Sequence, residues 1–281
     1  MARTPLILAL VVLLAGGCAD GPADSAEPPA RIAVATSYLG AAARDLLNED
    51  VPLVELCGPG TCPGHFDVTP GHLVRIRRCR LLLRFDFQKH FDAKLRAAVD
   101  DGLAVVEVPE SGGLGEPETY RTACRTVADA LVRKGMLSQP AAEARLRDIG
   151  LRLERLAVAV RSDVREAGLV GTAVVAAHHQ ARFCRWLGLE VAGEFQASDD
   201  PAALNRAVAD ARAAKARLVV GNVPAGRVLA DRLAGALGAP VVMFENFPAA
   251  GDGRRGYDGM VRRNVARLCA AGGGPRSPRA Q

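Results

Sequence analysis

The feature that most constrains the fold of this chain is a regular alternation of short apolar runs with longer helical patterns. Four apolar runs of strand length occur between Arg31 and Val108, and four more occur between Thr172 and Phe244. A helical pattern follows each run, and alternation of this kind is typical of parallel sheets that are covered by helices. The sequence therefore predicts an α/β protein.

The alternation is interrupted once, near the middle of the chain. From about Gln139 to Ala167 the sequence has only a helical pattern of Leu, Ala, Val, Arg and Glu. A helix of this length would be about 40 Å long, which is enough to span a small domain. We predict two parallel-sheet β/α lobes, residues 31–138 and residues 168–270, which one long linker helix at residues 139–167 joins across a cleft.

The N-terminal residues have the pattern of an export signal. Arg3 precedes the apolar run Leu6–Leu14, which is too short to span a bilayer comfortably, and small residues lead from there to Cys18. A small-residue run that ends in Cys resembles a bacterial lipobox, although Ala15 stands where Leu is usual. The resemblance implies removal of a signal peptide at residues 1–17 and attachment of lipid to Cys18. Ordinary secretion with Cys18 as a free thiol is the alternative.

The segments that flank the two lobes have the composition of flexible chain. Residues 18–30 are rich in Pro, Ala and Asp, as expected of a tether behind a lipidated cysteine, and residues 271–281 predict a disordered tail. The mature protein is therefore expected outside the cytoplasm, periplasmic or otherwise extracytoplasmic, and anchored to the membrane by lipid.

Composition argues against a nucleic-acid partner. The chain has 281 residues and a formal net charge of +5, but its basic residues do not cluster and only 4% of its residues are aromatic. Nothing in the sequence indicates an oligomer, so a monomer is expected.

Cysteines outside the cytoplasm tend to pair. Cys57 and Cys62 flank Gly58-Pro59-Gly60-Thr61, a turn-rich stretch that favours a disulfide between them. Pairings of the other cysteines of the mature chain stay open; these are Cys79, Cys124, Cys184 and Cys269.

Side chains that bind metals follow several of the predicted strands. His65 lies in the loop after the second strand, Asp86 follows RLLLRF, His178 and His179 follow TAVVAA, and Glu245 follows PVVMF. In open α/β sheets, ligands bind beyond the carboxyl ends of the strands. Imidazole and carboxylate together suit Zn, Mn or Fe, so a metal site drawn from both lobes is a hypothesis that the spacing alone does not decide.

Longer segments resemble a known family, the zinc- and manganese-type substrate-binding proteins of ABC transporters. The resemblance lies in CPGHFDVTPGHLVRIRRCRLLLRFDFQKHFDAKL, VVAAHHQARFCRWLGLEVAGEF, DDPAALNRAVADAR, VVMFENFP and YDGMVRRNVARL, in that order, and covers residues 31–270. It implies a lipoprotein that captures one divalent transition metal, Zn, Mn or Fe, and delivers it to the permease of an ABC importer without catalysis.

The resemblance also implies a ligand set. His65 matches the ligand of the first lobe, and Glu245 matches the carboxylate after the last strand. The histidine of the second lobe falls at His178 or His179, of which His179 is favoured because HQARF leads straight into the helix.

A second first-lobe histidine that is common in the family is missing here. The corresponding region reads PESGGLGEPETY, in which Glu110 and Glu116 are candidate replacements. Asp86 from the neighbouring strand is the third candidate, and we include it in the predicted ligand set with His65, His179 and Glu245.

Other functions remain open at this stage. One is binding of a chelated metal or another organic ligand, although a single Trp and three Tyr argue against a large flat ligand. Another is an exported metallohydrolase, for which the sequence lacks a His-Glu-x-x-His or a Gly-x-Ser-x-Gly motif. A third is a scaffold that no longer binds a metal.

Overall fold

The computed structural model describes residues 31–47, 51–58, 60–61, 66–110, 112–196, 200–249, 251–252 and 255–272. Cys18, Cys62 and His65 lie outside the described residues, so the predicted lipid attachment, the predicted Cys57–Cys62 disulfide and the predicted ligand His65 remain predictions. The thiol of Cys57 is buried, and its Sγ lies 3.7 Å from the carbonyl oxygen of Thr61.

The strands are short and follow the predicted apolar runs. They are β1 (Ile32–Thr36), β2 (Leu53–Cys57), β3 (Leu81–Phe85), β4 (Ala104–Val108), β5 (Ala173–Ala177), β6 (Glu190–Phe195), β7 (Leu218–Asn222) and β8 (Val241–Phe244).

Helices occupy the segments between successive strands, and one more helix follows the last strand. They are α1 (Ser37–Leu47), α2 (Pro70–Ile76), α3 (Asp92–Asp100), α4 (Pro117–Arg133), α5 (Gln139–Glu166), α6 (His178–Trp186), α7 (Pro201–Ala213), α8 (Val228–Leu237) and α9 (Gly256–Gly272). Short 3₁₀ turns at Asp86–Phe91 and Val223–Ala225 follow β3 and β7.

The strands form two four-stranded sheets in which every pairing is parallel. The strand orders are β2-β1-β3-β4 and β6-β5-β7-β8, so both lobes have the same topology. In each sheet the second strand of the lobe pairs with one edge of the first strand, and the third strand pairs with its other edge. The ends of β1 and β3 in one lobe, and of β5 and β7 in the other, therefore flank the switch points at which α/β proteins bind ligands. The predicted fold class is confirmed.

Each sheet is buried on both faces because successive side chains of a strand point to opposite sides. In β1, Ile32 and Val34 join a large core that also includes Val174 and Val220 of the second lobe. Ala33 and Ala35 point the other way, into a smaller cluster that belongs to the first lobe alone. One continuous core therefore joins the two sheets, and each lobe adds a smaller private core.

The predicted long helix is α5, which has 28 residues and is about 42 Å long. Its N-cap is Ser138, whose Oγ accepts a hydrogen bond from the amide of Ala141 at 3.4 Å. Its buried face carries Ile149, Leu153, Leu156, Val160 and Val164, at the three- and four-residue spacing of a helix that packs on one side. That face contributes to the core that the lobes share.

A tyrosine cluster connects helices from both ends of the chain. Tyr120 of α4 and Tyr257 of α9 are stacked with ring centroids 4.0 Å apart, and Tyr38 of α1 meets both rings edge-on. All three side chains are fully buried. Tyr257 also donates a hydrogen bond of 2.9 Å to the carbonyl of Gly115. The first turn of α9 is therefore part of the core of the first lobe.

Helices within the described ranges are all too short or too polar to cross a lipid bilayer. The thiols of Cys124 and Cys184 are buried and form no disulfide with another cysteine of the described ranges, and burial raises the pKa of Cys184 to about 12.

Candidate metal centre

A cleft of about 520 Å³ lies between the lobes, and residues at the carboxyl ends of the strands form its walls. Its volume is that of an ordinary small-ligand site. The lining residues are Phe87, Glu110, Gly112, Gly113 and Leu114 from the first lobe, and His178, His179, Ala181, Arg182, Arg185, Glu194, Asn222, Pro224, Asn246 and Phe247 from the second.

The two histidines of the second lobe occupy the first turn of α6, directly after β5. Both imidazoles line the cleft, with ring centroids 5.7 Å apart. Nδ1 of His178 is 2.9 Å from Oε2 of Glu194, so that ring nitrogen already has a partner. His179 has no such carboxylate partner among the hydrogen bonds of the described residues, which leaves it better placed to bind a ligand in the cleft.

The pKa values of His179 and Glu194 are both shifted from their ordinary values, for different reasons. Removal from water and the neighbouring His178 ring both lower the pKa of His179, which keeps its imidazole neutral and able to bind a metal at lower pH. Burial would raise the pKa of Glu194, but hydrogen bonds from Arg185 and His178 outweigh it and lower the pKa. Glu194 is therefore a carboxylate that holds the ring of His178.

The first lobe contributes a pair of carboxyl groups. Asp86 begins the 3₁₀ turn after β3, where its Oδ1 accepts a hydrogen bond from the amide of Phe87 at 2.8 Å. Its Oδ2 lies 3.4 Å from the amide nitrogen of Glu110, a residue that follows β4 and lines the cleft. Burial and the charge of Asp86 raise the pKa of Glu110. Two acidic side chains thus meet on the first-lobe side of the cleft.

Glu116, another candidate replacement for the missing histidine, has a different role. It is largely buried at the N-terminus of α4, and its Oε1 accepts a hydrogen bond of 2.8 Å from Nε of Arg182. Since Arg182 belongs to α6, this ion pair connects the lobes across the edge of the cleft. Of the three candidates, Glu110 is the one that lines the cleft.

Glu245 is turned away from the cleft. Its carboxylate binds Arg263 through Oε2 at 2.9 Å and Arg267 through Oε1 at 2.7 Å, both on α9. The next residue, Asn246, lines the cleft in its place. Asn264 fixes this loop, because its side chain accepts a hydrogen bond from the amide of Glu245 and donates one to its carbonyl, both at 2.8 Å.

A buried amide network forms the floor of the cleft. The two N–H groups of Gln180, in the first turn of α6, provide hydrogen bonds to the side-chain oxygens of Asn222 and Asn246. Because all three amides are buried, the network fixes their side chains. Asn222 ends β7 and Asn246 follows β8, so the network ties three neighbouring connections together.

The structure thus places His179 and Glu110 in the wall of one cleft, Asp86 beside Glu110, and Glu245 outside the cleft. Within the described part of the chain, no three His, Cys, Asp or Glu side chains are close enough together to hold a metal ion. Sequence reasoning missed Glu194, Arg182 and the amide network. The position of Glu194 near the carboxyl end of β6 is the one signal in the sequence that pointed to it.

Comparisons with known proteins identify the family and the fold of this chain. Residues 32–271 match the family described as the periplasmic component A of the zinc-uptake complex. A crystal structure of ZnuA superposes with a TM-score of 0.70 at 16% identity, covering 86% of this chain and 98% of that one. No curated protein matches.

Two further structures have the same fold at low identity. The periplasmic zinc-binding protein TroA from Treponema pallidum is 18% identical with a TM-score of 0.69, covering 86% of this chain and 99% of that one. A manganese-bound periplasmic metal-binding protein from Candidatus Liberibacter asiaticus is 12% identical with a TM-score of 0.68, covering 86% and 98%. Because the family match extends over nearly all of the described residues, this chain belongs to the family of periplasmic zinc-uptake component A proteins.

Proposed function

We propose that this protein captures one divalent transition metal ion, Zn, Mn or Fe, outside the cytoplasm and delivers it to an ABC importer. The observation that carries the proposal is an interlobe cleft whose walls include His179 of the second lobe and Glu110 of the first, with Asp86 beside Glu110. Imidazole and carboxylate groups are the donors that these metals share. Family membership supports the same function, because relatives named for zinc and manganese binding have this fold.

The metal ligands that we propose are His65, His179, Asp86 and Glu245, with Glu110 as a further carboxylate from the cleft wall. His179 and Glu110 are proposed because they line the cleft, and Asp86 because it lies beside Glu110. Binding through Glu245 would require its ion pairs with Arg263 and Arg267 to break. We therefore expect Glu245 to contribute less than His179 to metal affinity.

The remaining parts of the proposal concern the protein's place in the cell. We propose that residues 1–17 are removed on export, that Cys18 carries a lipid, and that residues 18–30 tether the two lobes to the membrane beside the importer. The lobes would act as a monomer and without catalysis, because the cargo leaves chemically unchanged.

The test is elemental analysis of residues 19–281, purified without a metal-affinity tag. We expect about one equivalent of Zn, Mn or Fe per chain, and its loss in His65→Ala and in His179→Ala. The matched control is His72→Gln, because His72 lies outside the cleft and glutamine keeps the capping box at the start of α2. If the parent protein binds no metal at micromolar concentration, the proposal is wrong.

One observation favours a second candidate, a metal that is bound as its complex with an anionic chelator. Arg182 and Arg185 line the cleft on the same helix as the histidines, and guanidinium groups match carboxylates well. Both are occupied by carboxylates of the protein, Glu116 and Glu194, which favours the free ion. Tighter binding of a citrate complex than of the free metal would reverse that preference.

A further inference from the structure

A second pocket, of about 450 Å³, lies between α5 and the start of α9 and shares no lining residue with the cleft. Its walls carry more basic than acidic side chains. Five arginines line it, against three aspartates. The arginines are Arg145, Arg152, Arg155, Arg255 and Arg262, and the aspartates are Asp45, Asp148 and Asp258.

The floor of this pocket is a buried ion pair between Asp45 and Arg152. Arg152 donates to both carboxylate oxygens of Asp45, with 3.0 Å between Nη1 and Oδ1. Asp45 also accepts hydrogen bonds from the hydroxyl of Tyr120 at 2.9 Å and from the amide of Arg255 at 3.2 Å. Both carboxylate oxygens of Asp45 therefore have partners, and its negative charge is paired with Arg152.

Four of the five arginines make no close contact with a carboxylate of the described residues. Among the described residues, the side chains of Arg145, Arg155, Arg255 and Arg262 form no hydrogen bond or ion pair. On α5 the spacing of Arg145, Arg152 and Arg155 places them along one face of the helix. Arg255, directly before α9, and Arg262 of α9 line the opposite side of the pocket. Five arginines against three aspartates leave an excess of positive charge. Positive charge in a concave site attracts anions, and the first turn of α9 adds its positive dipole end.

Two buried polar atoms at the floor also have no hydrogen-bond partner in the part of the chain that the structure describes. They are Nε of Arg152, a donor, and Oδ1 of Asp258, an acceptor. Nε lies 3.4 Å from the other oxygen of Asp258, so the two unpaired atoms are neighbours. A ligand that satisfies both must offer an acceptor oxygen and a hydroxyl group together.

We propose that this pocket binds a phosphate group that carries a proton, either as inorganic phosphate or as the monoester headgroup of a lipid. Guanidinium forks of Arg155, Arg255 and Arg262 would hold the unprotonated oxygens. The P–OH group would donate to Oδ1 of Asp258, and another oxygen would accept from Nε of Arg152. Leu151 stands at the rim with 56% of its surface exposed, which suits the lipid source.

The first experiment is titration calorimetry of the purified protein with inorganic phosphate and, separately, with sulfate. We expect saturable binding of one phosphate, weaker binding of sulfate because it lacks the proton, and a decrease in affinity as NaCl is added. The Arg155→Ala/Arg262→Ala variant should bind phosphate at least about tenfold more weakly. Asp258→Asn should reduce the preference for phosphate over sulfate.

The matched control is Arg147→Ala/Arg206→Ala, which removes the same charge from exposed positions outside the pocket. We expect it to change phosphate affinity by less than about twofold. Equal weakening in both double variants would mean that the effect is one of net charge and would overturn the site. Sulfate that binds as tightly as phosphate would overturn the role of Asp258.

A second arm separates the two sources of phosphate. It measures co-sedimentation with phosphatidylcholine vesicles with and without phosphatidic acid. The pocket is assigned to a lipid headgroup if the protein binds only to vesicles that contain phosphatidic acid. That binding must be lost in Arg155→Ala/Arg262→Ala and kept in the control. Calorimetric binding of phosphate without vesicle binding assigns it to the free anion. If neither binding occurs, the proposal is wrong.

Discussion

Nδ1 of His178 and Oε2 of Glu194 are 2.9 Å apart, so the first histidine of the pair is held by a carboxylate of its own lobe. If His179 is the metal ligand, loss of this contact should matter little. We expect Glu194→Gln to lower metal affinity less than about tenfold, since an outer partner of a true ligand typically contributes 10- to 100-fold. Competition with a metal indicator dye measures the change.

The control for this variant is Glu190→Gln, at an exposed position at the start of the same strand. It should leave metal affinity unchanged. A loss of more than about tenfold in Glu194→Gln alone would transfer the ligand assignment to His178, because outer partners act through the ligand that they orient.

Glu110 should make the metal-free protein less stable at neutral pH. Burial and Asp86 raise its pKa, so the folded state binds its proton more tightly than the unfolded state does. Such a group stabilises the fold below its unfolded pKa of about 4.3, and that contribution is lost as the pH rises through the folded pKa. Glu110→Gln should therefore raise the melting temperature at pH 7 and have little effect at pH 4.

Scanning calorimetry of the metal-free protein at both pH values tests this expectation. Glu190→Gln again serves as the control, because its carboxylate is exposed. A lower melting temperature for Glu110→Gln at pH 7 would contradict the expectation and show that the carboxylate has a stabilising partner.

Tyr257 should be among the most sensitive positions of the core. Its ring is fully buried and stacked 4.0 Å from that of Tyr120, so Tyr257→Ala should cost about 3–5 kcal/mol of unfolding free energy. Tyr257→Phe keeps the ring and loses only the hydrogen bond to Gly115, so it should cost about 1 kcal/mol. Urea unfolding measures both, and equal costs would mean that the stack contributes little.

Gly115 is required because the first lobe approaches α6 closely there. A Cβ at this position would lie 2.6 Å from Cγ of the Phe183 ring, so Gly115→Ala should cost about 1–3 kcal/mol. It should also weaken metal binding, since Leu114 lines the cleft. The control is Gly235→Ala in α8, where a Cβ meets no atom and helix propensity predicts a gain of about 0.5–1 kcal/mol. Unfolding of both variants is the measurement, and a stable Gly115→Ala would contradict the expectation.

Much of the fold could be predicted from local patterns. Buried parallel strands are short apolar runs, and the runs RLLLRF and TAVVAA mark β3 and β5 to within a residue. The start of α2 was equally clear, because Thr69 followed by proline is a capping signal, and Thr69 does cap that helix. Strand order was not predictable, since it depends on pairing between distant segments.

The candidate site was less predictable, for a geometric reason. Successive side chains at the end of a strand point to opposite sides. Of the neighbours Glu245 and Asn246, therefore, only one faces the cleft, and a shift of one residue decides which. The sequence favoured the charged residue, whereas arginines on α9 draw it to the other side. Contacts of this kind come from a helix that begins more than ten positions later, beyond the range of any local pattern.

Helix α9 has a consequence for how the chain acquires its structure. Its sequence neighbours belong to the second lobe, yet Tyr257 packs against Tyr38 and Tyr120 on helices of the first lobe. The first lobe therefore cannot reach its native packing until α9 is present. The two lobes should fold and unfold as one cooperative unit, and a polypeptide that is being exported should reach its native packing only after α9 has crossed the membrane.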